Sequence, residues 1–273
     1  MENVQEKWLE KVIDEGHINY IDYNKFTDPT VIGIVVDTSI DEKIIKDFIH
    51  ELSPEDQVKA TTWDLSHNRG FENFSELIMA LRKNTMLTSL DLCSNELGSF
   101  GEGGEALADA LCSNSSLTFL NIRSNNLGLR VGYVLVEALC KNTTLKNLDI
   151  RDNNLKGGEA FADALCKNTA LTSLDLQGGK ALADALCKNS TLKDLNLEYN
   201  NIGSEGGKAL ADALCKNSTL KDLNLYNNNL GSEVGKALAD ALCKNSTLTS
   251  LNLVSNNIGF ELESNYSNLK IIQ

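Results

Sequence analysis

A glycine-rich segment with a lysine, GSEGGKAL at Gly203–Leu210, comes closest in this chain to a phosphate-binding loop. Such a loop has four residues between its outer glycine and the Gly-Lys pair, and a Ser or Thr after the lysine to bind magnesium. Here three residues intervene, and Ala209 follows the lysine. Similar segments begin the helix predicted in other parts of the chain. We therefore interpret the segment as a helix start and expect no nucleotide or other cofactor.

The residues that bind metals or form disulfides also show no site by their spacing. His17, His50 and His67 do not cluster, and no C-x-x-C pair occurs. Six of the seven cysteines recur at one repeat position: Cys112, Cys140, Cys166, Cys187, Cys215 and Cys243. Equivalent positions on stacked helices lie about 8–10 Å apart, whereas a disulfide needs Cα atoms within about 7 Å. We therefore expect reduced thiols that act as small buried hydrophobic residues.

Asn-X-Ser/Thr sequences, which accept glycans in secreted proteins, also recur at one repeat position. The asparagines at that position are Asn114, Asn142, Asn189, Asn217 and Asn245. They follow predicted helices, and asparagine tolerates the left-handed conformation that often ends a helix. We interpret them as helix-terminal residues in that conformation.

The net charge is strongly negative, with 25 basic and 38 acidic residues giving −13. Nucleic acid and anionic membranes carry phosphates, which such a surface repels. The charge favours a basic partner, although it also serves solubility alone. The first sixteen residues, MENVQEKWLEKVIDEG, lack the apolar stretch of a signal peptide, so we expect a cytoplasmic protein.

A repeat of about 28 residues organises the chain from residue 58 onward. Its first leucine or alanine recurs at intervals of 27, 30, 28, 26, 21, 28 and 28 residues. In one unit, Leu223 and Leu225 should face a core while Asp222 and Asn224 face solvent, as in a strand. The segment after the strand has helical periodicity, with Ala237, Leu238, Ala241 and Leu242 predicted to face inward. Between strand and helix an asparagine turns the chain at 68, 95, 125, 153, 200, 228 and 256.

These units resemble leucine-rich repeats of the ribonuclease-inhibitor subfamily, which includes NOD-like receptors and the Ran GTPase-activating protein. The motif L-x-x-L-x-L-x-x-N carries the resemblance over about residues 58–262. It implies an α/β solenoid curved like a horseshoe, with a parallel β-sheet on the concave face and α-helices on the convex face. The predicted domain, 58–273, has about eight units. One of them is shortened at 171–191, where seven residues and the asparagine turn are missing, and we expect a local irregularity there.

Residues 1–57 do not carry the repeat, and we predict a helical capping segment that covers the first unit. Part of it, with FTDPTVIG and DEKIIKDFIHEL, is similar to the start of a protein-kinase small lobe. The chain has no glycine-rich loop after Gly33, no V-A-I-K lysine, no H-R-D and no D-F-G. Phosphoryl transfer needs those groups, so we expect no enzyme.

The outward positions of the strands are the candidate binding surface. When equivalent positions of the units are compared as columns, the first outward column is almost all Asp or Asn. This column fits a structural ladder of side-chain hydrogen bonds as well as a binding role. The next columns vary between units while the rest of the repeat is constant, which is typical of recognition surfaces but also of neutral drift. Because Arg and Tyr are frequent hot-spot residues, we predict protein binding by five side chains of the concave face. They are Arg123, Arg151, Glu198, Tyr199 and Tyr226.

The two arginines should form a basic spot, and the two tyrosines an aromatic anchor. The resemblance implies a protein ligand and a role as scaffold or sensor module. The alternative is a GTPase-activating protein of the Ran-activator type, which would need a distinctive loop to contact a GTPase.

Overall fold

The described part of the chain begins at the first predicted repeat. The computed structural model describes residues 62–67, 78, 81–82, 85, 87–98, 103–155, 158–176 and 181–273. The predicted capping segment, residues 1–57, lies outside the described residues, so its cap and its kinase likeness stay predictions.

Nine short parallel strands form one sheet in the described part of the chain, in the order of the sequence. They are β1 (Thr62–Asp64), β2 (Ser89–Asp91), β3 (Phe119–Asn121), β4 (Asn147–Asp149), β5 (Ser173–Asp175), β6 (Asp194–Asn196), β7 (Asp222–Asn224), β8 (Ser250–Asn252) and β9 (Lys270–Ile272). The alternation predicted for one unit is confirmed, because Leu223 and Leu225 are buried while Asp222 is exposed. The register is constant, so the central residue of every strand points into the core.

Six helices of the described residues pack one after another on the other side of this core. They are α1 (Gly103–Ser113), α2 (Gly128–Lys141), α3 (Gly158–Lys167), α4 (Leu182–Leu186), α5 (Gly203–Leu214) and α6 (Ser232–Leu242). In α6 the predicted inward residues Leu238, Ala241 and Leu242 are buried, and Ala237 is half-buried. Strands lie about 4.8 Å apart and helices about 10 Å apart. The stack therefore curves as predicted, with the sheet on its concave face.

Buried asparagines at the strand-to-helix turns join each unit to both of its neighbours. The side-chain NH2 of Asn228 donates to the carbonyl of Leu197 in the preceding unit (2.7 Å) and to that of Leu225 in its own unit (3.0 Å). Its backbone N–H donates to Oδ1 of Asn256 in the next unit (2.8 Å). Asn125 bonds in the same way, and the NH2 of Asn153 donates to the carbonyl of Ile122 in the preceding unit (2.7 Å). We call this series of turn asparagines the turn ladder, and it confirms the predicted role of their amides.

A second set of asparagines lies after the helices, and their predicted left-handed conformation is wrong. Asn142 is extended, with φ −73° and ψ 127°. Its NH2 donates to the carbonyl of Leu111 (2.8 Å), and its Oδ1 accepts from the backbone N–H of Leu145 (2.7 Å). These bonds need a buried amide that faces the preceding unit, and a left-handed residue is not required. The left-handed residues are instead in the turns, such as Asn227 and Asn229.

The shortened unit keeps its place in the sheet, and its helix is described from Leu182 onward. Leu174 of β5 lies opposite Leu195 of β6 in the common register. The helix α4 has only 5 residues, against 12 in α5. The predicted irregularity is absent from the sheet, and its place between strand and helix, residues 177–180, lies outside the described residues. The connecting glycines, Gly178 and Gly179, lie outside the described residues.

The last strand, β9, has no counterpart in the repeat prediction. Ile271 occupies the place that leucine has in β2–β8, opposite Leu251 of β8. The side chain of Gln273 bonds back to the chain, accepting from the N–H of Leu262 (2.7 Å). The segment before β9 has neither the leucine spacing nor a helix, so the repeat pattern does not reveal it.

The cysteines are free thiols, but the prediction that they are buried is wrong. Cys112, Cys140, Cys166 and Cys243 are exposed, and Cys187 and Cys215 are half-buried. Each follows the last inward leucine of its helix by one residue, as Cys112 follows Leu111. One residue turns the side chain by about 100° around a helix, which takes the thiol out of the core.

The concave face

The predicted site residues follow the strands directly. The Asp or Asn side chain that ends each of these strands forms a hydrogen bond with their backbone. Oδ1 of Asp149, the last residue of β4, accepts the backbone N–H of Arg151 (3.1 Å). Oδ1 of Asn224, the last residue of β7, accepts that of Tyr226 (3.0 Å). The same bond recurs after β1, β2, β3, β6 and β8. Of the two roles left open for the Asp/Asn column, these bonds support the structural one.

Arg151 lies at the centre of a cluster of carboxylates contributed by three successive strands. Its guanidinium donates to both oxygens of Asp149, at 3.1 and 2.7 Å. It also contacts Glu198, and it lies 3.5 Å from Asp175. We call Asp149, Arg151, Asp175 and Glu198 the charged cluster. Two of the predicted site residues, Arg151 and Glu198, are thus joined across the shortened unit.

The predicted basic spot is not formed, because acidic groups neutralise both arginines. Arg123 pairs with Asp152 at 2.8 Å, with both side chains about two-fifths exposed. The side chain of Arg151 is only 15% exposed and faces three carboxylates. Its hydrogen bonds with Asp149 raise the pKa of Arg151 above its ordinary value. The charged cluster has a net negative charge.

Asp175 is the member of the charged cluster that is least well compensated. Burial, followed by the charge of Asp149, raises the pKa of Asp175 to about 6. The guanidinium of Arg151 opposes this effect, but at 3.5 Å it makes no close hydrogen bond with Asp175. At neutral pH the folded protein therefore keeps a carboxylate charged at a free-energy cost.

We expect Asp175→Asn to stabilise the protein at pH 7.5 by about 1–2 kcal/mol. A pKa near 6 in the folded state and about 3.9 in the unfolded state means that folding takes up a proton between these values, so stability falls as pH rises from about 4 to 6. The side chain is 29% exposed, so solvent screening lowers the full effect. Asparagine keeps an oxygen acceptor and already ends β3, β6, β7 and β8.

Urea unfolding of both proteins from pH 4 to 8 tests this expectation. The variant should lack the part of the pH slope that comes from Asp175. Asp149→Asn is the matched control, since it removes a hydrogen-bonded partner of Arg151 and should destabilise the protein. A variant Asp175→Asn that is less stable than the parent at pH 7.5 would contradict the assigned cost.

Tyr199 and Tyr226, from neighbouring units, form the predicted aromatic pair. Their ring centroids are 5.1 Å apart with an interplanar angle of 74°, which is an edge-to-face contact. The backbone N–H of Tyr199 donates to the carbonyl of Tyr226 (3.0 Å). A hydrogen bond with Tyr226 raises the pKa of Tyr199 above its ordinary value. Tyr199 is 59% exposed and Tyr226 is half-buried.

The backbone at Tyr199 is in the left-handed region, with φ 58°. Bulky residues rarely adopt this conformation, whereas asparagine tolerates it. The next unit has Asn227 at the same position, with φ 52°. A large exposed aromatic side chain thus stands where the backbone favours a small polar residue, and folding gives no reason for it.

Comparison with known proteins identifies the repeat. The sequence profile described as Leucine Rich repeat matches residues 83–108, 113–130, 141–162, 188–211, 216–239 and 244–261. The chain carries leucine-rich repeats. No curated protein matches its sequence.

Solved structures with a similar arrangement include other leucine-rich-repeat-like proteins. Leiomodin-1 actin-binding site 2 has a TM-score of 0.44 at 21% identity, over 52% of this chain and 87% of that chain. The tropomodulin C-terminal domain of Caenorhabditis elegans has a TM-score of 0.41 at 14% identity, over 62% and 90%. The yeast Rad7 and Elc1 complex has a TM-score of 0.49 at 16% identity, over 85% and 58%.

Among the described residues, no three His, Cys, Asp or Glu side chains are grouped so that they could hold a metal ion. No helix of the described part combines the length and apolar character needed to cross a bilayer.

The charged cluster was missed at the level of the sequence, although a signal for it existed. Asp149 and Asp175 were assigned to the Asp/Asn column and not to a site. Once the register of the leucine-rich repeats is known, outward residues of successive strands must be neighbours. The sequence Arg151, Asp175, Glu198 along three units therefore contained the cluster.

Proposed function

We propose that this protein is a binding scaffold or sensor module of the ribonuclease-inhibitor type, and that it holds a protein partner on its concave face. The observation that carries the proposal is the contact of the exposed Tyr199 with the half-buried Tyr226 on that face. Aromatic side chains provide much contact area at a low entropic cost and are enriched among interface hot spots.

The concave face offers two regions of different energetic value to a partner. The charged cluster already surrounds Arg151 with carboxylates, so a partner that covered it would have to remove water from these half-buried charges, including the poorly compensated Asp175. The tyrosine pair presents an apolar surface and hydroxyl groups to solvent. We therefore place the centre of binding on Tyr199 and Tyr226, with Glu198, Arg151 and Arg123 at its edge.

The partner that fits this face is basic. Asp194 and Asp222 lie opposite each other in the first positions of β6 and β7. Burial and the charge of Asp222 raise the pKa of Asp194. Like charges opposite each other on neighbouring strands repel, and a cationic surface above them relieves this repulsion. Binding should then weaken as salt increases.

We also propose that the protein catalyses no reaction, binds no cofactor and acts in the cytoplasm. Residues 1–57 are proposed to cap the first unit, since a solenoid needs its terminal core covered. Binding by the concave face does not depend on the localisation or on the cap.

Mapping an interface on the full chain tests the proposal. A partner identified by capture from cell lysate would be purified, and hydrogen exchange measured for the chain with and without it. Protection should concentrate on β5–β8 and the residues that follow them. Protection confined to α1–α6 would overturn the assignment to the concave face. The captured partner should also dissociate between about 50 and 300 mM salt if electrostatic attraction contributes as expected.

A further inference from the structure

Among the described helices, only α2 exposes large hydrophobic side chains to solvent. Leu129 is 45% exposed and Tyr133 is 57% exposed. The half-buried Val136 lies on the same face, because residues three and four apart are neighbours on a helix surface. We call Leu129, Tyr133 and Val136 the α2 patch. Other residues of the helix, among them Leu135 and Ala138, form its buried side.

Polar residues stand at the two most exposed positions of this patch in later repeats. Serine and lysine take the places of Leu129 and Tyr133 in α5 and α6, as Ser204, Lys208, Ser232 and Lys236. A helix of this solenoid therefore packs on the core without apolar side chains at these positions. A contiguous exposed apolar patch with a polar rim is typical of an interaction site.

Charged residues line one flank of the α2 patch. Arg130 and Glu137 each follow a residue of the patch by one position, which turns both side chains by about 100° to the same side. Lys141 is four residues after Glu137 on this flank, and its Nζ lies 2.8 Å from Oε1 of Glu137. Arg130 pairs with Glu105 of α1 at 2.7 Å, but its side chain is 83% exposed. Solvent-exposed pairs of this kind are weak, so these groups can also pair with a second molecule.

The order of the charges along this flank fits a second copy of the chain. When two identical helices pack antiparallel about a two-fold axis, the same flank of each helix meets the other. With the axis between Tyr133 and Val134, Arg130 of each copy lies opposite Glu137 of the other. Two ion pairs then form between the copies. The sign of the flank also suits this partner, because two cations and one anion face a chain with a net charge of −13.

We propose that the α2 patch is a self-association surface, through which two copies of this chain pack α2 against α2 in antiparallel orientation. The apolar side chains of each patch cover those of the other, and Arg130 and Glu137 set the register. Such a contact is one helix wide and is expected to be smaller than the about 800 Å² per partner of a standard interface. The net charge also repels the copies, so the dimer forms only at high concentration. The patch and the tyrosine pair lie on opposite faces, so the inference does not depend on the proposed function.

Sedimentation velocity of the full chain over about a hundredfold range of concentration tests the proposal. The parent should shift from monomer toward dimer as the concentration rises. Leu129→Ser combined with Tyr133→Lys introduces the residues that α6 has at these positions, and it should raise the dimer Kd by at least about tenfold. The control is Ile272→Ser, which removes an exposed apolar side chain from the last strand, β9, and should leave the Kd unchanged.

Charge reversal tests the register of the two helices. Arg130→Glu alone and Glu137→Arg alone each place like charges opposite each other in the dimer, so each variant should associate less than the parent. An equal mixture of the two variants should associate again, because opposite charges then face each other between unlike chains. Thermal unfolding checks that each variant is folded.

Three results would overturn the proposal. The first is a parent chain that stays monomeric over the whole range of concentration. The second is a dimer that the double variant of the α2 patch leaves intact while Ile272→Ser weakens it, which would place the contact at the edge of the sheet. The third is a mixture of the charge-reversed variants that associates no better than either variant alone.

Discussion

Arg151→Ala should lower the free energy of unfolding by about 2–3 kcal/mol. Removing one member of a buried ion pair typically costs about 3–5 kcal/mol, because the remaining charge is left uncompensated. Arg151 is 15% exposed and its partner carboxylates are 14–29% exposed, which reduces this cost. The sequence alone suggests an exposed arginine whose loss folding would tolerate. The three carboxylates around it reverse that expectation.

Urea unfolding at pH 7.5 measures this loss, and Arg123→Ala is its control. Arg123 has the same charge and the same place in its unit, but its pair with Asp152 is exposed to solvent. Pairs of that kind contribute about 0–1 kcal/mol. The deficit of Arg151→Ala should shrink as pH falls toward 4, because the unpaired carboxylates then take up protons. Equal stabilities of the two variants would contradict the role of Arg151 as a compensating charge.

Replacing Tyr199 by Asn and Tyr226 by Ala should weaken binding of the partner by more than about 2 kcal/mol, which is about 30-fold in Kd. Asn is chosen at Tyr199 because the left-handed backbone tolerates it, as Asn227 does in the next unit. Exposed substitutions of this kind usually shift stability by about 0.5 kcal/mol or less. Titration with the purified partner by calorimetry gives the affinity, and thermal unfolding checks the fold.

The convex face supplies a control of matched exposure for the tyrosine pair. Tyr133 in α2 is 57% exposed, against 59% for Tyr199. Tyr133→Ala removes the same type of side chain from the opposite face and should leave the affinity unchanged. If it weakens binding while the concave variant does not, the partner binds to the helices. If the concave variant unfolds, Tyr199 and Tyr226 support the structure and the test must use Tyr199→Asn alone.

The repeat itself was readable from the sequence because its signals are local. The alternation of Leu223 and Leu225 with polar residues has the period of a strand, and the buried asparagines stand where the chain must turn. The exposure of the cysteines was misread because one position along a helix separates an inward residue from an outward one. Cysteine is often buried in proteins, but the rotation of about 100° per residue turns these side chains away from the core.

The charged cluster cannot be predicted from local sequence patterns alone. Arg151, Asp175 and Glu198 are each more than twenty residues apart, and their contacts require the register of three strands. The shortened unit made that register uncertain, because the loss of seven residues could have displaced a strand. The sheet stays continuous because the loss falls between the strand and the helix, and Arg151 can then reach Glu198 two units away.

The turn ladder has a consequence for how such a chain can change its length. Asn228 bonds only to the units immediately before and after it, so a copied unit that keeps its turn asparagine meets the same bonding groups on both sides. Residues 178–197 and 206–225 are identical, which indicates such a copying event. The identity ends just before Glu198 and Tyr226, where the concave face begins to differ. The duplication therefore copied the buried framework, and later substitutions changed the exposed residues of each copy.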